Sequence, residues 1–135
     1  MDMKEYFERT GGVGVLSTAD SSGKVNSAVF AKPHVMEDGS VAFIMPGRLT
    51  HRNLQENPHA AYLFMEEGGG YRGVRLHLTK LREERDSELL YSLRRVKYDG
   101  DEGRSRFLVF FRVDRVLPLV GSDGSMAPFK VARKI

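Results

Sequence analysis

One stretch, residues 41–63, constrains the fold most, because it reads as a strand, a turn, a short helix and a second strand in succession. In VAFIM both alternating sets of side chains are apolar, which predicts a strand that is buried on both faces. Pro46 ends that strand, and Pro58 ends the helix because it disfavours helical geometry at the residue before it. A period of two then resumes in HAAYLF, which predicts the next strand.

The turn between this first strand and the helix is rich in hydrogen-bond donors. Arg48, Thr50 and His51 stand where the helix begins, and Thr50 is a candidate N-cap. The free N–H groups and the dipole of a helix N-terminus favour an anion such as phosphate. Local chemistry alone fits such an anion site and a plain connecting helix with its cations in water equally well.

The rest of the chain reads as strands joined by tight turns, with helices in two connections and one at the start. Strands are predicted over residues 13–19, 24–36, 41–45, 60–66, 71–81 and 107–120, and the flanking helices over residues 2–9 and from Asp86 or Ser87 to about Lys97. This pattern predicts a mainly β fold with helices (α+β), built as a closed or nearly closed six-stranded antiparallel barrel. We expect one domain, 1–135, with an N-terminal helical segment, 1–12, and a C-terminal tail, 121–135.

The last predicted strand is apolar on both faces over its first half. One side carries Phe107, Val109, Phe111 and Val113, and the other begins with Leu108 and Phe110. Because a small barrel has water outside it, such a strand implies a covered outer face. A homodimer is the simplest cover, and it is our prediction.

Composition and spacing argue against several kinds of site. The sequence has no cysteine, which excludes disulfides, thiol catalysis and cysteine-based zinc sites. Its four histidines lie on separate predicted elements without metal-ligand spacing, so we predict no metal site. The net charge is only +3 with mixed signs, and no apolar run approaches the roughly 20 residues that span a bilayer. We therefore expect a cytoplasmic protein that binds neither nucleic acid nor membrane.

Two further patterns have a structural interpretation beside a functional one. Gly11-Gly12-Val13-Gly14 opens a predicted strand rather than a helix, so it fails the context test for dinucleotide binding. Arg75 and His77 share one face of a predicted strand, where they face either a ligand or water. We favour water for that pair.

The second predicted strand supplies a surface that suits a flat ring. Its small side chains, at Asn26, Ser27, Ala28 and Val29, would let a ring approach the backbone. Strand N–H and C=O groups could then read the edge of a heterocycle. A planar ring beside a phosphate site suggests flavin mononucleotide (FMN).

With these features together, the chain resembles the pyridoxamine 5′-phosphate oxidase-like family of FMN-binding split barrels. The resemblance rests on GVLSTADSSGKVNSAVFAKPHV, VAFIMPGRLTHRNLQENPHAAYLF and FLVFFRVDRVLPL, and runs from about Val13 to Val120. It implies a six-stranded split barrel, a homodimer, and FMN in clefts at the interface.

The resemblance also implies which residues bind the cofactor. The ring would contact Asn26, Ser27, Ala28 and Val29, flanked by Phe43, Ile44 and Met45 of the neighbouring strand. The phosphate would contact Arg48, Leu49 and Thr50. Many members carry a Ser-Arg-Lys type of run in that turn, so Leu49 leaves one cation missing, which Arg52 or an arginine of the partner chain would have to supply.

The implied function is that of an FMN-binding flavoprotein, an oxidoreductase that acts on an unknown small substrate or accepts electrons from a small donor. One alternative is a non-catalytic FMN carrier or electron-transfer protein. Another is a split barrel that holds haem, with His34, His51 or His77 as axial ligand. True pyridoxamine phosphate oxidases end in an extended segment with an Arg-x-His motif, whereas this sequence ends GSDGSMAPFKVARKI, so we do not predict that reaction. No catalytic residue is predicted.

Overall fold

The computed structural model describes residues 1–94 and 105–131. Within them, seven strands form one antiparallel sheet, which curls into a half-barrel with few helices. The strands are β1 (Gly12–Ala19), β2 (Val25–Phe30), β3 (His34–Val35), β4 (Val41–Pro46), β5 (His59–Glu66), β6 (Gly73–Arg85) and β7 (Arg106–Pro118). The helices are α1 (Met3–Arg9), α2 (Leu49–Glu56) and α3 (Glu88–Leu93), with a short 3₁₀ turn at Gly124–Met126. No helix in these ranges is long and apolar enough to cross a membrane.

The prediction of six strands was wrong, because the predicted second strand, residues 24–36, is divided in two. Its first part is β2, which pairs with β1, and its last part is β3, which pairs with β4. Pro33 lies in the break, where its missing N–H cannot contribute to a strand ladder. The strand order is β2-β1-β5-β6-β7-β4-β3, so the break carries the chain from one edge of the sheet to the other.

This connection requires the sheet to curl. Only residues 31–33 separate β2 from β3, so the two strand ends lie within about 14 Å of each other along an extended chain. In a flat sheet of this order the two edges would be about 29 Å apart. The half-barrel is therefore split between β2 on one side and β3 with β4 on the other.

The inner face of the half-barrel holds the main hydrophobic core. Alternate strand residues fill it, among them Leu16, Tyr62, Phe64, Leu76, Leu78, Val109 and Phe111. Helix α1 packs Tyr6 and Phe7 against this core, and Phe129 joins them from the C-terminal segment. The Tyr6 hydroxyl donates to Glu66 Oε2 at 2.6 Å, and burial together with that bond raises the pKa of Tyr6. Within the predicted tail, 121–135, residues 121–126 are exposed, and the chain then packs on the core through Ala127 and Phe129.

Glycine in β1 makes room for this core. A Cβ on Gly14 would overlap the hydroxyl of Tyr62, which donates to the carbonyl of Phe30 at 3.2 Å. The interpretation of this glycine-rich run as the start of a strand is confirmed, since β1 pairs with both β2 and β5. The glycines serve close packing of strands.

The outer face of β7 is covered by α3. Leu108 and Phe110 form a second core cluster with Ala42 and Leu90, and the Arg82 guanidinium lies 3.7 Å from the centre of the Phe110 ring. The predicted cover over this face is therefore present, but α3 supplies it, so this strand gives no reason for a homodimer, which stays a prediction. Exposed apolar side chains lie instead on the outer face of β2, β1 and β5, at Val13, Val25, Val29, Leu63 and Met65. We call these five residues the outer apolar surface.

Helix α3 is shorter than its predicted length. Ser87 is its N-cap, since the side-chain oxygen accepts from the Leu90 N–H at 3.1 Å, as predicted. The helix ends at Leu93 with Arg94 as C-cap. The predicted continuation through Lys97 lies outside the described residues.

Candidate functional site

The split in the half-barrel is a cleft of about 480 Å³, which is within the usual range for small-molecule sites. Its walls come from β2, the connection to β3, β4 and the turn before α2, and the residue after α3 also contributes. The lining residues are Asn26, Ala28, Val29, Phe30, Ala31, Lys32, His34, Phe43, Ile44, Met45, Pro46, Arg48, Leu49, Thr50 and Arg94.

The cleft brings together every predicted cofactor-binding residue except Ser27. Side chains alternate along β2, so Asn26 and Ala28 are half-buried while Ser27 is turned to the other face. There its hydroxyl lies 2.7 Å from that of Ser17 on β1. Ser27 therefore does not line the cleft with its side chain, and its contact with a cofactor stays a prediction. The cofactor contacts of the remaining residues stay predictions.

Strand β4 forms the apolar floor of the cleft. It is held between β3 and β7, so its position is set by ladders on both edges. Phe43 and Met45 are buried, Ile44 is half-buried, and the Phe43 ring makes an edge contact with Phe30 at 6.1 Å between centroids. A flat ligand would find a rigid apolar surface here and small side chains on β2 opposite.

The turn after β4 leads directly into α2. Arg48 is the N-cap, but its side chain makes no capping hydrogen bond, and its N–H donates to the Pro46 carbonyl at 2.9 Å. The prediction of Thr50 as N-cap was wrong, because Thr50 lies inside the helix and is buried. The first N–H groups of a helix have no partner within it, so the start of α2 offers donors at this end of the cleft.

His51, near the start of α2, points away from the cleft. Its ring stacks on Phe107 with the centroids 3.8 Å apart, and its Nε2 lies 2.9 Å from Glu83 Oε2 on β6. Burial by itself would raise the pKa of Glu83, but hydrogen bonds from Lys80, His51 and Gln55 outweigh it and lower that pKa to about 2. His51 therefore anchors α2 to the sheet.

The ionisable side chains of the cleft lining are all basic. Lys32, His34, Arg48 and Arg94 line it, and no aspartate or glutamate appears among the described lining residues. Sequence analysis missed Lys32 and Arg94 as lining residues. Lys32 directly precedes Pro33, the proline in the break of the predicted second strand. That proline is the one local feature that could have indicated Lys32 as a lining residue. Arg94 carries no local signal, because its place depends on how α3 docks.

The other predicted polar groups lie elsewhere. Of the three candidate haem ligands, only His34 lines the cleft, whereas His51 contacts Glu83 and His77 is exposed on β6. Arg75 donates to the carbonyls of Pro118 and Gly121, so it holds the end of β7. Arg52, proposed as a compensating cation, is exposed and does not line the cleft.

Comparison with solved structures identifies the fold. An FMN-binding protein from Syntrophomonas wolfei superposes with a TM-score of 0.69 at 17% identity, covering 87% of this chain and 84% of that one. A candidate pyridoxamine 5′-phosphate oxidase from Lactobacillus delbrueckii gives 0.65 at 13% identity, with 87% and 92% covered. This chain has the split-barrel fold of pyridoxamine 5′-phosphate oxidase-like proteins. The predicted split-barrel fold is thus confirmed, with seven strands in place of the predicted six.

The same fold also occurs in a haem protein. HutZ, the heme storage protein of Vibrio cholerae, superposes with a TM-score of 0.54 at 18% identity, covering 79% of this chain and 85% of that one. No family model matches the sequence, and no curated protein matches it. The fold by itself therefore leaves flavin and haem both open as ligands.

Proposed function

We propose that this protein binds FMN in the cleft and acts as an oxidoreductase on a small substrate. The observation that carries the proposal is that the small residues of β2 and the Arg48 turn, predicted separately, line one cleft. Its basic lining suits an anionic ligand, and its apolar floor on β4 suits a flat ring. An FMN-binding protein of the same fold adds support.

The residues present fit the two ends of an FMN molecule. Arg48, Thr50 and the first N–H groups of α2 would hold the phosphate. Asn26 and Ala28 would face the ring from one side and Phe43, Ile44 and Met45 from the other, while Val29 would border it from the outer face of β2. FMN supplies hydride or electron transfer when bound, and the chain supplies binding, orientation and exclusion of water. No general acid from the chain is required for that transfer.

An absorption spectrum tests this proposal most directly. Purified protein should carry flavin bands, or the folded apoprotein should take up FMN at micromolar concentration with quenching of flavin fluorescence. A folded protein that is colourless and ignores micromolar FMN would overturn it. Reduction of the bound flavin by NADH or NADPH then separates the oxidoreductase from a carrier or electron-transfer protein, for which we expect binding without useful reduction.

We also propose that the protein forms a homodimer through the outer apolar surface. Val13 with Met65 and Val15 with Leu63 are direct cross-strand pairs, so the surface is continuous across β1 and β5. Exposed apolar patches of this kind commonly mark protein interfaces. Val29 belongs to this surface and also lines the cleft, so a second copy docked here would border the ligand.

Sedimentation measurements on charged variants test the homodimer. Leu63→Glu should give a monomer and should also weaken FMN binding, because the partner would no longer border the cleft. Leu81→Glu is the matched control, since Leu81 is an equally apolar exposed residue on β6 outside that surface, and it should remain dimeric. A monomeric wild-type protein at micromolar concentration would contradict the proposal.

Haem is the second candidate ligand, and His34 is the observation that favours it. Haem is flat and anionic like FMN, and His34 is the histidine of the three candidates that lines the cleft. Haem binding would appear as a Soret band that His34→Ala abolishes or shifts. Binding of FMN that is unaffected by His34→Ala would favour the flavin instead.

A further inference from the structure

We propose that Arg94 is a second cation at the anion-binding end of the cleft, where it supplements Arg48. This inference rests on the proposed function and deepens it, because it adds a ligand contact from an element outside the β4–α2 turn. The starting observation is that both arginines line the same cleft although 45 residues of chain lie between them.

The turn before α2 is short of positive charge. Arg48 is its one cation that lines the cleft, and its neighbour Leu49 is 45% exposed without any charge to offer. A phosphate monoester carries a charge of about −1.5 to −2 at neutral pH. A single guanidinium therefore leaves roughly one negative charge uncompensated, and a second cation in the same lining would balance it.

Helix α3 holds Arg94 in a restrained position. Leu90 is fully buried against β4 and β7, and its carbonyl accepts from the Arg94 N–H at 3.1 Å. The Arg94 guanidinium lies 5.2 Å from the centre of the Tyr91 ring. Tyr91 is itself held by a 3.2 Å hydrogen bond from its hydroxyl to Asp86. Arg94 is thus supported by a docked helix and by a fixed aromatic ring.

The charge of Arg94 is not neutralised by a carboxylate in the part of the chain that the structure describes. The ion pairs found there join other arginines, lysines and His51 to their acids. A guanidinium also presents a planar fork of donors that matches two phosphate oxygens. Arg94 therefore combines a cleft position and a support with a charge that no carboxylate of residues 1–94 or 105–131 pairs in an ion pair.

Fluorescence titration of the folded apoprotein with FMN and with riboflavin tests this inference. Arg94→Ala should weaken FMN binding about tenfold and change riboflavin binding less than twofold, because riboflavin lacks the phosphate. Arg94→Lys should lie between wild type and Arg94→Ala, since it keeps the charge and loses the fork. Arg115→Ala is the matched control, because Arg115 is exposed on β7 outside the cleft, and it should leave FMN binding unchanged.

The outcomes separate this inference from the proposed function. If wild-type protein binds FMN and Arg48→Ala weakens it while Arg94→Ala does not, the inference is overturned and the proposed function stands. An equal loss of FMN and riboflavin in Arg94→Ala would also overturn it, because Arg94 would then act through the packing of α3. If wild-type protein binds no FMN at all, the proposed function itself fails.

Discussion

The packed interior of the half-barrel and the cleft at its split differ in what fills them. On the inner side of the half-barrel, large aromatic and aliphatic side chains are fully buried and leave no room even for a Cβ at Gly14. At the split, small side chains of β2 and basic side chains surround a cleft of about 480 Å³ above the apolar floor on β4. Packing in the interior keeps the strands in register, and the residues at the split are available to bind a ligand. Substitutions on the two sides should therefore have different kinds of effect.

The largest effect is expected on the packed side. Gly14→Val would place its side chain where the Tyr62 hydroxyl lies, and overpacking of this kind typically costs ~1–3 kcal/mol or more. Thermal unfolding should show a large loss of stability, with ligand binding lost because the protein unfolds. Val15→Ala, the neighbouring change on the outward side of β1, should cost much less. A Gly14→Val protein as stable as wild type would mean that the packed side is looser than its contacts indicate.

The next effect is expected at the split, on binding rather than stability. Arg48→Ala should weaken FMN by ~1.5–3 kcal/mol if its guanidinium makes a charge-assisted bond to the phosphate. Its unfolding temperature without ligand should match wild type, because the side chain is exposed and makes no capping bond. Riboflavin should bind both proteins alike. Loss of riboflavin binding as well would show that Arg48 acts through folding.

A smaller effect is expected at Glu83, the residue of β6 that His51 of α2 contacts. The hydrogen bonds that Glu83 accepts lower its pKa from 4.5 to about 2, so its contribution to stability is present above pH 4.5 and is lost as pH falls toward 2. Glu83→Gln should remove on the order of 1–3 kcal/mol at neutral pH and flatten the decline of stability between about pH 5 and 2. Urea unfolding at several pH values measures both. An unchanged acid profile in Glu83→Gln would assign that decline to other carboxylates.

The smallest effect is expected for Ser27, on the face of β2 that is turned away from the cleft. Ser27→Ala removes a hydroxyl that bonds Ser17 on the far face of β2, so FMN affinity should be unchanged and stability should fall by less than about 1 kcal/mol. Asn26→Ala is the informative partner, because its side chain lies on the cleft side of the same strand and its loss should weaken binding. Equal effects of the two changes would remove the distinction between the faces of β2.

Much of the local structure could be predicted because it depends on neighbours in the chain. The prolines at 46 and 58 bracket α2, Ser87 caps α3, and Met3, Tyr6 and Phe7 form the buried face of α1, all as periodicity and capping chemistry indicated. The anion site at the turn was indicated by the same local chemistry, whereas the family resemblance indicated the cleft residues of β4. Errors arose where one local pattern fits two structures. Residues 24–36 fit one long strand as well as two short ones, and in the structure they form β2 and β3.

The sequence by itself determined that stretch 41–63 is a strand, a donor-rich turn, a helix and a strand, because turn chemistry and alternation act over a few residues. Tertiary structure decided which face each side chain meets. In the folded chain His51 contacts Glu83, and Ser27 contacts Ser17. Arg94 and Arg48 line the same cleft. The physical reason is that these contacts join distant strands and helices, and their geometry exists only once the sheet has curled and α3 has docked on it.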